Sequence, residues 1–197
     1  LDGSISVDKT IVNESSLYDL TGIVGSVFQN PRTQFFAVDT TSEIAFGCEN
    51  LGMETAKISQ RITKSVSELN IENLLERSLF ALSGGEKQKI ACASISAMEP
   101  EVFVLDEPSS NLDVAAIGDL KKVLMKWKAQ GKTILIAEHR LYYLMDLADK
   151  VIYMKDGEIQ EVMPICEFRA KPDDLLRQMG LRSLNPIDFS DKMTLPP

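Results

Sequence analysis

No stretch of this 197-residue chain is apolar for the roughly eighteen residues that crossing a bilayer takes. Basic charge is scarce as well: 21 Lys and Arg stand against 29 Asp and Glu, a formal net charge of −8. Nucleic-acid binders normally show a basic surface, so this balance argues against that class, although a small basic patch or an anion held by backbone amides stays open. A positively charged segment leading into an apolar one, the pattern of a secretory signal, is missing. Cysteine is limited to Cys48, Cys92 and Cys166, an odd number at wide spacing that fits neither a disulfide framework nor a zinc site. Buried, reduced thiols of a cytosolic compartment are expected instead. Histidine occurs once, and neither an internal repeat nor a low-complexity segment is found. What remains is an ordinary globular composition, 44% hydrophobic and 25% charged, on a chain about one domain long. Its first residue is Leu1, not Met, which suggests a chain cut from something longer.

Apolar and polar residues alternate from Leu1 to Val12, as in a half-exposed strand, beside a turn signal at Asp2-Gly3. A second apolar stretch over residues 23–28 ends at Gln29-Asn30-Pro31, where Asn-Pro breaks the strand. From Thr41 to Met98 the pattern is mainly helical, and Ile58, Ile62, Val66 and Leu69 mark one amphipathic face. Val102 to Leu105 and Thr133 to Ala137 read as strands covered on both faces. Ile117, Leu120, Leu124 and Trp127 place an amphipathic helix between them, which makes a βαβ unit with parallel strands. A strand over 150–154, a turn at Asp156-Gly157 and a short strand over 158–160 follow. A short helix after Pro172 leads into a polar, Pro-ended tail.

Open parallel sheets bind ligands at the carboxyl ends of their strands. The residues there are Gln29, the pair Asp106 and Glu107, and the pair Glu138 and His139. If the three strands are neighbours, acids, an amide and the single histidine converge on one edge. Metal-assisted phosphoryl transfer needs such a set: an Asp for Mg²⁺, a carboxylate to polarise water, and groups to meet the γ-phosphate. Taken singly, acids at strand ends are often only solvated, and a lone histidine is more often structural.

Leu82-Ser83-Gly84-Gly85-Glu86-Lys87-Gln88 is more specific. Ser83 and Glu86 have the spacing of a capping box. A plain cap has no need of two glycines at the first helical positions, where they cost helix stability. Glycines there let an anion approach bare amides at a helix N-terminus, which favours negative charge. The small residues Ala91, Ala93, Ser94 and Ala97 then permit close packing behind it.

These segments together resemble the ATPase subunits of ABC transporters. Leu82 to Gln88 is similar to the signature sequence, Val102 to Glu107 to the Walker B strand, and Ser109 to Asp113 to the D-loop; Gln29 matches the Q-loop glutamine and His139 the switch histidine. The resemblance implies an α/β, P-loop NTPase-like parallel-sheet core (1–40 and 99–170), a helical subdomain with the signature (41–98) and a C-terminal helix and tail (171–197). It further implies an ATP- and Mg²⁺-dependent ATPase. Glu107, His139 and Gln29 would be catalytic, and Asp106 with Gln29 would hold the metal. Ser83, Gly84, Gly85 and Glu86 would touch a partner's ATP, with Asn111 and Asp113 in the D-loop. Asp113 is also a candidate N-cap. Residues 27–36, 43–47 and 49–52 are similar to the ATPases of energy-coupling factor transporters, which import vitamins or transition-metal cations. Expected partners are a second ATPase domain, a membrane coupling subunit contacted through Gln34 to Phe36, and a substrate-binding membrane subunit, but no nucleic acid. The expected location is the cytoplasmic face of the membrane. A ribosome- or DNA-associated ATPase of the same superfamily is the alternative.

One part of the family pattern is missing. The phosphate-binding loop has the form G-x-x-x-x-G-K-[ST], and the nearest approach, Gly3 to Thr10, puts Asp8 where the second glycine belongs. Ile5 and Val7 favour an extended strand over an anion nest. The expectation is a truncated domain, with its phosphate loop upstream of Leu1, that hydrolyses no ATP by itself.

Overall fold

The computed structural model describes residues 5–7, 10–181 and 184. The Asp2-Gly3 turn, Gly3 and Asp8 of the loop-like stretch, and the Pro-ended tail lie outside the described residues. Two compact units follow one another along the chain, Leu1–Glu138 and His139–Pro197.

The first unit opens with a small antiparallel hairpin of β1 (Ser6–Val7) and β2 (Thr10–Ile11). Helix α1 (Leu17–Thr21) starts at a capping box formed by Ser16 and Asp19. The main sheet has three parallel strands, β3 (Val24–Val27), β4 (Val102–Asp106) and β5 (Thr133–Ala137), with β4 in the centre. Val27 lies opposite Leu105, and Leu105 opposite Ile136.

Three longer helices lie between β3 and β4 in the chain: α2 (Thr40–Asn50), α3 (Thr55–Leu69) and α4 (Gly84–Met98). Asp39 caps α2 by accepting from the Ser42 amide at 2.9 Å. The hydrogen bonds from Ser42 hold its carboxyl below the usual range. The stripe expected on α3 is present, with Ile58, Val66 and Leu69 buried and Ile62 half-buried. Asn70 ends that helix in the left-handed conformation. On α4, Ala91, Ala93, Ser94 and Ala97 are all buried, so α2, α3 and β3 can approach its backbone. β3 comes so near that a Cβ on Gly25 would lie 2.2 Å from Cγ2 of Ile95; only glycine fits.

Helix α5 (Val114–Ala129) returns the chain from β4 to β5 and buries Ile117, Leu120, Leu124 and Trp127, the stripe read from the sequence. Trp127 stacks on Phe103 of β4 with ring centroids 3.8 Å apart, and its indole N–H donates to the Ser96 hydroxyl at 3.3 Å. One aromatic pair thereby joins β4, α5 and α4. β5 corrects an expectation. It is not covered on both faces: Thr133, Leu135 and Ala137 are exposed and only Ile134 and Ile136 are half-buried. Among the described residues β5 pairs only with β4, and Leu135 is 53% exposed.

The second unit is built on an antiparallel pair, β6 (Lys150–Lys155) and β7 (Glu158–Pro164), joined at Asp156-Gly157. β7 runs four residues past the expected end at 160, and a helix absent from the sequence reading, α6 (Ile165–Arg169), follows it. Helix α7 (Asp173–Gln178) is the one expected after Pro172. Met163, Phe168 and Leu176 are buried in this unit. The thiols divide: Cys48 and Cys92 are buried, and burial pushes Cys92 up to about 12, whereas Cys166 on α6 is exposed, contrary to expectation.

Trp127→Ala should destabilise the protein by about 3–5 kcal/mol in urea unfolding, because it removes a fully buried aromatic from three elements at once. A loss under about 1 kcal/mol would mean that the Phe103–Trp127 stack is not a centre of the core.

Candidate functional site

Because β3, β4 and β5 run parallel, their carboxyl ends share one edge of the sheet. The side-chain amide of Gln29, two residues past β3, donates to Glu107 Oε2 at 2.9 Å. Two residues 78 apart in sequence thus meet at this edge. Asp106 ends β4 opposite Ala137 and is exposed. Glu107 leaves the strand with φ 39°, in the left-handed region, and its amide donates to the Ala137 carbonyl at 2.9 Å. Such a backbone costs a side chain with a Cβ about 1–3 kcal/mol, and strain of this kind gathers at functional positions.

The turn after Glu107 is anchored from below. Ser109 is fully buried and its hydroxyl donates to the Glu138 carboxylate, which ties the turn to the end of β5. Asn111 is exposed and its amide donates to the Ser110 hydroxyl at 3.3 Å. Asp113 does cap α5, accepting from the Ala116 amide at 2.8 Å. His139 directly follows Glu138 in the chain, is half-buried and opens the second unit.

Ser83 caps α4 as part of a complete capping box: its hydroxyl accepts from the Glu86 amide at 3.3 Å, and Glu86 Oε2 accepts from the Ser83 amide at 2.8 Å. Ser83 and Gly84 are exposed, so this helix start faces outward. Gly85 has a packing reason beside any role toward an anion: a Cβ there would come 3.0 Å from the Cβ of Ala116 on α5. The glycine lets the start of α4 sit against the start of α5. A second tie between these helices is Lys89 with Asp119 at 2.7 Å, and that hydrogen bond leads the causes holding the Asp119 carboxyl below its ordinary value.

The segment after β3 divides its work. Gln34 is a brace, since its side chain accepts from the Phe28 amide at 3.1 Å and donates to the Ser26 carbonyl at 3.2 Å. Phe35 is half-buried, whereas Phe36 is 74% exposed and stacks on Phe46 at 4.8 Å. Val38 and Phe80 are also exposed, and the Leu79 amide bonds to the Val38 carbonyl at 3.0 Å. Val38 and Phe80, which the sequence reading did not include, join Phe36 among the exposed apolar side chains.

The family model described as ABC transporter matches residues 1–110. The chain belongs to that family. A Treponema denticola protein named as an ABC transporter ATP-binding protein is 53% identical over 175 residues, which are 89% of this chain and 36% of that protein. A Pyrococcus furiosus protein of the same description is 37% identical over 166 residues, 84% of this chain and 64% of its own length. The chain spans about two fifths of the length of the Treponema relatives it matches. Among solved structures, cbiO1 from Clostridium perfringens, described as part of the ABC transporter complex cbiONQ, aligns with TM-score 0.76 and 28% identity over 88% of this chain and 70% of that one. A dimeric ATP-binding cassette bound to ADP and phosphate shares the fold, with TM-score 0.72 and 21% identity over 83% of this chain and 74% of that one.

In this ABC ATP-binding domain, Asp106 and Gln29 put oxygen donors at the open edge of the sheet. Among the described residues no group of three or more His, Cys, Asp or Glu could hold a metal. A cation bound there would take most of its ligands from phosphate and water, the usual habit of Mg²⁺. Sequence reasoning missed Arg77, whose Nη1 lies 3.1 Å from Glu86 Oε1. It also missed that Glu86 engages both carboxylate oxygens within the protein. No local pattern signals Arg77, because the contact spans nine residues and a break between helices.

The hydrogen bonds from Ser83 lead the causes that hold the Glu86 carboxyl below its ordinary value of 4.5. The ionised form is favoured in the folded state, so its stabilisation is complete above the unfolded value and disappears as pH falls through the folded one. Wild type should be more stable than Glu86→Gln by a constant margin above about pH 6, a margin that shrinks below 4.5. Thermal unfolding at several pH values checks this; a margin independent of pH would show that the charge of Glu86 contributes nothing.

Proposed function

We propose that this chain is part of an ATP-hydrolysing ABC subunit that powers membrane import of a vitamin or metal cation, in a transporter of the energy-coupling factor kind. The observation that carries the ATPase reading is the hydrogen bond from Gln29 to Glu107 beside Asp106. Glu107 orients and deprotonates the attacking water, and the Gln29 amide fixes the rotamer of its carboxylate. Asp106, with Gln29, would hold Mg²⁺, which when bound would neutralise charge on the phosphates. His139 keeps the switch-histidine role that the family resemblance implies. Ser83, Gly84 and Gly85 present the start of α4 to a nucleotide held mainly by a second ATPase domain. Glu86 serves that surface indirectly, by fixing Ser83. Residues 1–197 contain no G-x-x-x-x-G-K-[ST] loop, so the lysine and amides that grip the phosphates are not among them.

The transport reading is supported by the likeness to cbiO1 and by relatives named as ABC transporter proteins, which leave the ribosome- or DNA-associated alternative without an observation in its favour. No helix among the described residues is long and apolar enough to cross a membrane. The subunit would act from the cytoplasmic face, docked on a membrane coupling subunit through Phe36, Val38 and Phe80, with a substrate-binding membrane subunit choosing the solute.

In the complete native protein, Glu107→Gln should lower ATP turnover by about 10²–10⁴-fold while ATP affinity stays within a few fold. Near-normal turnover would show that Glu107 is not the base. Phe36→Ser should weaken capture of the coupling subunit with the melting temperature unchanged, because the ring is mostly outside the core. A fall in melting temperature with assembly intact would assign Phe36 to the packing of α2 through Phe46.

A further inference from the structure

Arg77 is held from both sides. Its backbone amide donates to the Thr40 hydroxyl at 3.2 Å, and its carbonyl accepts from the Thr40 amide at 3.0 Å. Thr40 is fully buried, and its hydroxyl donates in turn to the Leu74 carbonyl at 2.7 Å. The adjoining residues repeat the pairing, with Asp39 bridged to Ser78 and the Glu76 amide donating to the Thr41 hydroxyl at 2.9 Å. The backbone of Arg77 is therefore pinned to the start of α2, and its guanidinium reaches across to Glu86 on α4. Glu86 uses one oxygen for Arg77 and the other for the Ser83 amide. The side chains of Arg77 and Glu86 are 41% and 30% exposed, and an ion pair so open to water adds little to global stability. What it can do is select one Glu86 rotamer, and with it the geometry of the cap that carries Ser83.

We propose that Arg77 is a positioning residue for the nucleotide-facing start of α4, acting on Ser83 through Glu86. The proposal rests on the reading of Ser83, Gly84 and Gly85 as a nucleotide-contacting surface. It adds a route by which the segment that begins α2, next to the exposed Phe36 and Val38, is tied to that surface. Contact along such a route is not coupling, so coupling is what has to be measured.

The test uses Arg77→Gln, Arg77→Lys, Glu86→Gln and the Arg77→Gln/Glu86→Gln pair in the complete native protein. Steady-state ATPase kinetics and amide hydrogen exchange over residues 83–97 are the readouts. Arg77→Gln should lower kcat about tenfold with KM for ATP within twofold, and the pair should be no slower than the slower single variant, since both act through one contact. Lysine should restore at least half of the rate, because only one guanidinium nitrogen makes the contact. Amides 83–87 should exchange faster in Arg77→Gln while 90–97 keep their protection. Multiplying effects in the pair, or unchanged kcat with unchanged exchange, would overturn the proposal. So would an even loss of protection along α4 with a lower melting temperature, which marks a purely structural residue. If wild type hydrolyses no ATP, or Glu107→Gln keeps its turnover, the ATPase reading fails, and the exchange at 83–87 alone then decides for or against Arg77.

Discussion

The position of β4 between two parallel neighbours is the constraint on which the site depends. Side chains alternate across a strand, so slipping β4 by one residue would exchange Phe103 and Leu105 for Val102 and Val104 on the buried face. The stack of Phe103 on Trp127 resists that slip, and Gly25, the register partner of Phe103 on the same face of the sheet, lets Ile95 of α4 close on that face. With the register set, the Glu107 amide finds the Ala137 carbonyl, and Gln29 and Glu107 end within hydrogen-bonding distance. The left-handed backbone at Glu107 is sustained because the strand before it and the bonded turn after it are both fixed.

Helix α4 carries the second part of the site and is placed by a different kind of force. Its small residues let neighbouring elements approach closely, so dispersion contacts and burial hold its body. Its first turn is mostly exposed and is oriented by polar contacts: the capping box, Arg77 with Glu86, and Lys89 with Asp119. Each such contact is weak in water, yet each fixes a direction that apolar packing leaves undetermined.

The opposite end of the same sheet has its own polar ties. Glu99, itself in the left-handed conformation, pairs with Arg61 and Lys64 of α3; Lys132 pairs with Glu101, and Gln130 donates to Glu68 at 3.0 Å. These contacts join α3 to the amino ends of β4 and β5. The edge that holds the acids and the amide is therefore one end of a sheet whose other end is clamped to the helices.

Periodicity and local chemistry were enough to read the α3 and α5 stripes, the caps at Ser83 and Asp113, the parallel strands and the acids at their ends. All of these depend on interactions between residues a few positions apart, or on the period of a helix or strand. The family resemblance rested on the same short segments. Exposure of β5 and Cys166, the brace made by Gln34, the packing reason for Gly85 and the contact of Arg77 with Glu86 were decided only in three dimensions. Each depends on what another part of the chain places nearby, and sequence spacing carries no record of that. Gln29 and Glu107 stand between the two cases: their residue types and strand-end positions were legible, but only the register of β3 against β4 turned two separate candidates into one hydrogen-bonded pair.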